Sequence, residues 1–167
     1  MPIVPFESLP DSARVWVFAS DRPLTGAAAD TLLAAVDGFL AAWRAHGVPL
    51  RCARDWRDGR FLAIGVDVEV EHASGCSIDG LFHRLQQLER EIGSRLVGGG
   101  RVFYRSPAGI ETASREEFGQ RVAAGDVVRE TPVFDTTLTA ASRWRTSFEQ
   151  PASRAWTSVF FEDARGG

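Results

Sequence analysis

The chain has 167 residues, 19 basic against 22 acidic side chains, a formal net charge of −3 and 44% hydrophobic residues. That length and composition fit one domain, or one with an appendage, around a core of its own, and exclude a disordered chain. All the basic residues are Arg, with no Lys and no Asn anywhere, which excludes a Schiff-base lysine, a P-loop lysine and a Cys-His-Asn triad of the papain kind.

The acidic balance gives little pull on nucleic acid or an anionic surface, so neither is expected as a partner. Met1 to Ser12 carries Glu7 and Asp11 without a basic start or a long apolar run, and no secretory signal is expected. No stretch approaches the roughly 18 apolar residues of a membrane span, so no membrane contact is expected. The two cysteines, Cys52 and Cys76, are then expected as free thiols in a reducing cytoplasm.

Residues 1–12 read as an extended segment. The run from Arg14 to Ser20 is rich in β-branched and aromatic residues on both faces, the pattern of a strand covered on both sides. Thr25 can cap a helix whose Leu32, Leu33, Val36, Phe39, Leu40 and Trp43 repeat at helical spacing, with Gly47 placed as its C-cap. Asp58-Gly59, a pair that accepts positive φ, predicts a hairpin between Leu50 to Trp56 and Arg60 to Val70. Leu62, Ile64, Val66, Val68 and Val70 mark its buried face. A second helix is predicted with Ser77 as N-cap, a stripe of Ile78, Leu81, Phe82, Leu85, Leu88, Ile92 and Leu96, and Gly98 to Gly100 as its end. Arg101 to Arg105 then reads as a strand.

The order β-α-β-β-α-β predicts an α+β fold with a ferredoxin-like antiparallel sheet over 13–105. Residues 106–134 read as a β-α-β extension: a short strand at Ile110 to Thr112, a capping box at Ser114 to Glu117 opening a helix that Gly125 ends, and a strand over Val127 to Phe134. This unit is expected to dock on the sheet and blunt its edge. Residues 135–167 lack clean periodicity and are expected to wrap the domain, frayed from Arg165.

The run from Glu71 to Asp79 joins a strand to a helix, where unpaired N–H groups and the helix dipole can hold a thiolate or another anion. Cys76 is therefore the best nucleophile candidate, with His72 or His83 as base and Asp79 to orient it. Gly75, Cys76 and Ser77 are the corresponding anion-binding candidates. The structural alternative is a joint in which Gly75 makes the turn, Ser77 caps the helix, Asp79 complements the dipole and Cys76 closes the loop. Cys76 with His72 and His83 matches no finger spacing, so no metal is expected, nor any other cofactor. His46, beside Gly47, reads as a helix C-terminal imidazole. Neither Asp67 with Glu69 nor Glu116 with Glu117 suggests a glycosidase pair. Arg54, Trp56, Arg60 and Phe61 combine the side chains that dominate interface hot spots and mark a candidate contact face. They match no RNA-binding signature.

The opening Val4 to Ser12, Trp43-Arg-Ala-His-Gly47, the strand from Arg60 to Asp67, Ser74-Gly-Cys-Ser-Ile-Asp79 and Pro151-Ala-Ser with Trp156 resemble a bacterial family of small proteins often labelled "ABC transporter ATPase". The likeness spans nearly the whole chain. An ATPase activity does not follow here, because the Walker lysine has no counterpart in a lysine-free chain. Ser114 to Phe134 also resembles the helix-glycine-strand pattern of GYF-type interaction modules. No catalytic constellation is complete, so the expected function is that of a non-enzymatic cytoplasmic binding protein, joined to a protein partner or to itself. The alternative is a thiol-dependent enzyme or small-anion site at Cys76.

Overall fold

A computed structural model describes residues 3–96 and 100–162. The chain is α+β and divides into two compact units. One comprises residues 3–96 with 136–146, the other 100–135 with 147–162. No helix among the described residues is long and apolar enough to cross a membrane.

The first unit is built on a three-stranded antiparallel sheet of β1 (Arg14–Ala19), β4 (Cys52–Arg57) and β5 (Phe61–Val66), with β5 in the centre. Every residue of β5 is buried, so both faces of the sheet need cover. On one face lie α1 (Gly26–Ala41) and α2 (Gly75–Ile92), which pack Leu32, Val36, Leu40, Leu81, Leu85 and Leu88 against Leu62, Ile64 and Val66. The helical spacing of these leucines is what aims them at one face. The opposite face is met by a 3-10 turn over Phe6–Ser8 and by α4 (Ala141–Thr146). A methyl group on Gly65 would come 2.6 Å from Leu9 Cδ1 and 3.2 Å from Phe6 Cε2, so a larger residue there would have to displace both covering side chains.

α4 is held by polar bonds as well as packing. The Trp144 indole N–H donates to Asp55 Oδ2 at 2.9 Å, while Arg57 lies over the ring at 4.1 Å and donates to the Trp144 carbonyl at 3.0 Å. Arg145 donates to Asp11 Oδ1 at 2.7 Å and to the carbonyls of Phe6 and Leu9, tying the helix to the N-terminal turn.

Several expectations are corrected by this arrangement. The fourth strand of a ferredoxin-like sheet is missing from this unit, because the outer edge of β1 is taken: Val15 N–H donates to Thr139 O at 2.9 Å, and Ala141 and Ser142 donate to Ala13 and Asp11. The segment expected there, β6 (Arg101–Ser106), pairs in a separate sheet. α1 ends at Ala41, and Gly47 is not its cap. Instead His46 (φ 53°) and Gly47 (φ 79°) form the turn of a small hairpin between β2 (Arg44–Ala45) and β3 (Val48–Pro49), so His46 sits in a turn rather than on a helix dipole. α2 is capped by Ser74, three residues before Ser77, and stops at left-handed Gly93. Of the three glycines expected to end it, Gly98 and Gly99 lie outside the described residues, as does the end from Arg165. Val68 and Val70 fall beyond β5.

The second unit is a four-stranded antiparallel sheet in the order β7 (Gly109–Ser114), β6, β8 (Pro132–Phe134), β9 (Glu149–Pro151). The expected extension therefore builds a sheet of its own with β6 instead of adding to the first, and its last strand is shorter than Val127 to Phe134. α3 (Arg115–Ala123) packs Phe118 onto Val102, Tyr104, Ala113 and Val133. Its predicted capping box forms: Ser114 Oγ accepts from Glu117 N–H, and Glu117 Oε1 accepts from Ser114 N–H, both at 3.1 Å. That backbone N–H, with the hydroxyl, holds the Glu117 carboxyl below the usual glutamate range. The tail expected to wrap supplies α4 to the first unit, then β9 and a short helix α5 (Val159–Glu162) to the second.

The Asp58-Gly59 hairpin forms as expected, with φ of 58° and 65°. Gly59 also accepts from Leu24 N–H at 2.8 Å, and a methyl group there would lie 3.1 Å from Leu24 O. Gly59→Ala is expected to cost at least about 1–2 kcal/mol from the left-handed conformation alone, read as a lower denaturation midpoint with an unchanged m-value.

Candidate functional site

Three regions compete for a function: the strand-to-helix joint at Glu71 to Asp79, the polar cluster at the far end of α2, and the strand edges of the two sheets.

At the joint, Ser74 Oγ accepts from Ser77 N–H at 3.1 Å and Ser77 Oγ donates to Ser74 O at 2.8 Å. The Ser77 carbonyl accepts from the Trp43 indole at 2.8 Å, which fastens the helix start to the core. Ser77 is buried and its N–H is spent on the cap, so of the anion-binding candidates only Gly75 and Cys76 are at the surface. Cys76 is exposed in the first turn of the helix, not closed into the loop as the structural alternative had it. His72 and Asp79 are exposed on either side of it. No hydrogen bond among the described residues joins either of them to Cys76; the His72 backbone N–H goes to Glu71 Oε1 and the His83 ring lies 3.3 Å from Gln87 Nε2. No group of three or more potential metal ligands occurs among the described residues.

Sequence reasoning missed the second region. Ser94 Oγ donates to Asp21 Oδ1 at 2.5 Å and lies 2.6 Å from Ser20 Oγ, while Arg60 reaches the Ser20 carbonyl at 3.2 Å. Arg22 donates to Ile92 O, one of the carbonyls left open where α2 ends. These partners stand 40 to 74 residues apart in the chain, so no local pattern announces them. Burial pulls the Arg60 guanidinium below its ordinary value, with the Asp21 charge opposing. An open depression beside the cluster is lined by Asp21, Gln86, Glu89, Arg90, Ser94 and Arg95. Acids and guanidiniums are balanced there, and the cluster's bonds join β1 to the end of α2.

The expected face of Arg54, Trp56, Arg60 and Phe61 is not a surface. Phe61 is fully buried and Arg60 nearly so. Trp56 packs half-buried against the helix-side core. Arg54 makes a two-pronged bond to Asp37 of α1, at 2.8 and 3.0 Å, and that hydrogen bonding raises its pKa.

The edges differ sharply from one another. β1 is covered by residues 139–142. On β4, the Cys52 carbonyl accepts from Val4 N–H, and the Trp56 N–H is taken by Asp55 Oδ1 at 3.0 Å, which leaves Arg54 alone between them. β9 has three residues and presents Pro151, which has no N–H to offer. β7 is six residues long and carries none of these devices. It is joined to β6 by a two-residue turn with Ser106 opposite Gly109, so bonded pairs alternate inward from that position. Glu111 and Ala113 face β6, and Ile110 and Thr112 point their N–H and C=O outward. No backbone bond to another described segment meets them there.

No family model, curated protein or solved structure matches the chain.

Cys52 supplies an internal reference for thiol chemistry. It is fully buried and donates to Leu40 O at 3.5 Å, and burial pushes its thiol up to about 12. The unfolded chain, with an ordinary thiol near 8.5, loses that proton first. The neutral thiol's contribution is therefore whole below about pH 8.5 and is lost as pH rises from there towards 12. Cys52→Val should flatten the decline in stability over that alkaline range, measured as the pH dependence of urea midpoints. An unchanged slope would place the decline in other groups.

Proposed function

We propose that this chain is a non-enzymatic, cytoplasmic binding protein that works through protein contacts, self-association among them. The observation that carries the reading is the open edge of β7 beside three edges that are covered, partly bonded or cut short at a proline. Isolated strand edges are hazards that proteins manage by bulges, prolines, charges or cover, and a six-residue edge with no proline, bulge or covering segment among the described residues and one carboxylate, Glu111, is a surface suited to receiving another strand. Sedimentation velocity on the full chain tests it. A weight-average mass that rises with concentration, with the helical signal unchanged, is the expected result; a single monomeric species from micromolar to millimolar concentration would count against self-association.

A second reading centres on Cys76, and its support is the exposure of that thiol in the first turn of an 18-residue helix. Iodoacetamide labelling followed by mass spectrometry across pH separates the readings. Cys76 should label in the folded protein and Cys52 only after unfolding. A Cys76 rate that titrates well below an ordinary thiol supports thiol chemistry, whereas an ordinary rate, with self-association retained in Cys76→Ser, leaves the joint structural.

A further inference from the structure

We propose that the depression at the end of α2 is a binding site for the phosphate group of a small, soluble phosphate monoester. The site lies within the first unit and does not depend on the β7 edge.

The chain carries a net charge of −3, yet positive charge is left over here. The depression holds about 590 Å³, and Asp21, Glu89, Arg90 and Arg95 are the charged residues of its lining. The polar cluster beside it adds Arg22 and Arg60. Four guanidiniums thus stand against two carboxylates, and the six ion pairs among the described residues all use other arginines. Arg22 and Arg60 each donate to a neutral carbonyl. The guanidiniums of Arg90 and Arg95 are exposed and bond no other described residue. Both carboxylates, by contrast, are engaged: Asp21 Oδ1 accepts from the Ser94 hydroxyl at 2.5 Å and from Arg95 N–H at 3.2 Å, and Glu89 Oε2 accepts from Leu96 N–H at 2.7 Å. Asp21 N–H returns a bond to Arg95 O at 3.2 Å. Together with left-handed Gly93, these bonds hold the loop that carries Arg95 beside the last turn of α2, which carries Arg90.

The surplus of two positive charges matches a phosphate monoester, which carries about −1.5 to −2 at neutral pH. A carboxylate supplies one negative charge. The three terminal oxygens of the phosphate also offer acceptors to both unengaged guanidiniums, and Arg is the side chain best shaped to fork onto them. The depression exceeds a phosphate ion and lies in the size range of small-molecule sites, which leaves room for the alcohol part beside Gln86.

Isothermal titration of the full chain with ribose 5-phosphate, inorganic phosphate and ribose, at constant ionic strength, tests the site. Ribose 5-phosphate should bind one to one, inorganic phosphate more weakly and ribose not at all. Arg90→Gln and Arg95→Gln should each weaken binding about tenfold or more. Arg84→Gln removes the same charge from α2 outside the depression, where the guanidinium bonds Gln87, and should leave binding unchanged. None of the three arginines is buried, so the helical signal should be the parent's in each variant. Equal weakening by Arg84→Gln would reduce the effect to diffuse charge and overturn the site, as would the absence of binding by either phosphate at millimolar concentration. Sedimentation with phosphatidylcholine vesicles, with and without phosphatidic acid, distinguishes a lipid headgroup. Pelleting that requires phosphatidic acid and Arg95, without binding of ribose 5-phosphate, would overturn the soluble ligand.

Discussion

The first unit depends on burying β5 on both faces. A strand reading Phe-Leu-Ala-Ile-Gly-Val has no side to give to water, so the sheet must be a middle layer. Two long amphipathic helices cover one side, as expected in a β-α-β-β-α arrangement. The other side, which an open-faced sheet would leave wet, takes Phe6 and Leu9 from the chain's beginning and Trp144 from far downstream. Gly65 is the point of closest approach, and Arg145 clamps the two cover pieces together through three oxygens. The covering segment also supplies residues 139–142 to the edge of β1. Two-sided burial and the loss of the fourth strand are thus linked through one stretch of chain.

The same segment explains why the edges are unequal. Where a strand meets the N-terminal segment at Val4, the 139–142 segment or its own neighbouring carboxylate, those backbone groups are answered inside the molecule. β7 lies in the other unit, and Ser114, its last residue, is the N-cap of α3. The capping box that starts α3 answers Ser114 N–H and nothing further back along the strand. Polar chemistry elsewhere is inward-looking: Ser20, Ser94, Asp21 and Arg60 hold β1 against the end of α2, and Ser74 with Ser77 hold its start.

Local signals in the sequence were reliable where the physics is local. Asp58-Gly59 specified a hairpin because few pairs tolerate two positive φ values in succession, and Ser114 to Glu117 specified a helix start because its two bonds span only three residues. The α+β class followed from the order of the elements. What failed was pairing over distance. Nothing in Arg101 to Ser106 says which sheet it will join, since its alternation fits either, and the rival for the β1 edge is an irregular stretch without strand periodicity. His46-Gly47 was read as a helix end although the same two residues make a hairpin turn, both roles asking for a left-handed residue. Ser77 was read as the cap, whereas Ser74 caps the helix, and that earlier start puts Cys76 in the helix instead of the loop. The Arg54 to Phe61 face failed because side-chain type is legible in a sequence while the partner that covers it, here Asp37 or the core, is not.

The placing of α4 has a consequence for the order of events on the ribosome. The chain leaves the first unit after α2, builds three strands and a helix of the second, and only then returns with Trp144 and Arg145. At about 5–20 residues per second, the roughly 50 residues between the end of the first segment and α4 take some 2–10 s to synthesise. For that interval the nascent sheet has its helices in place but lacks α4 on its other face, and Val15 N–H has no Thr139 to meet. A protein so threaded is completed late at its oldest strand, and the early part of its life is when that edge is open to other chains.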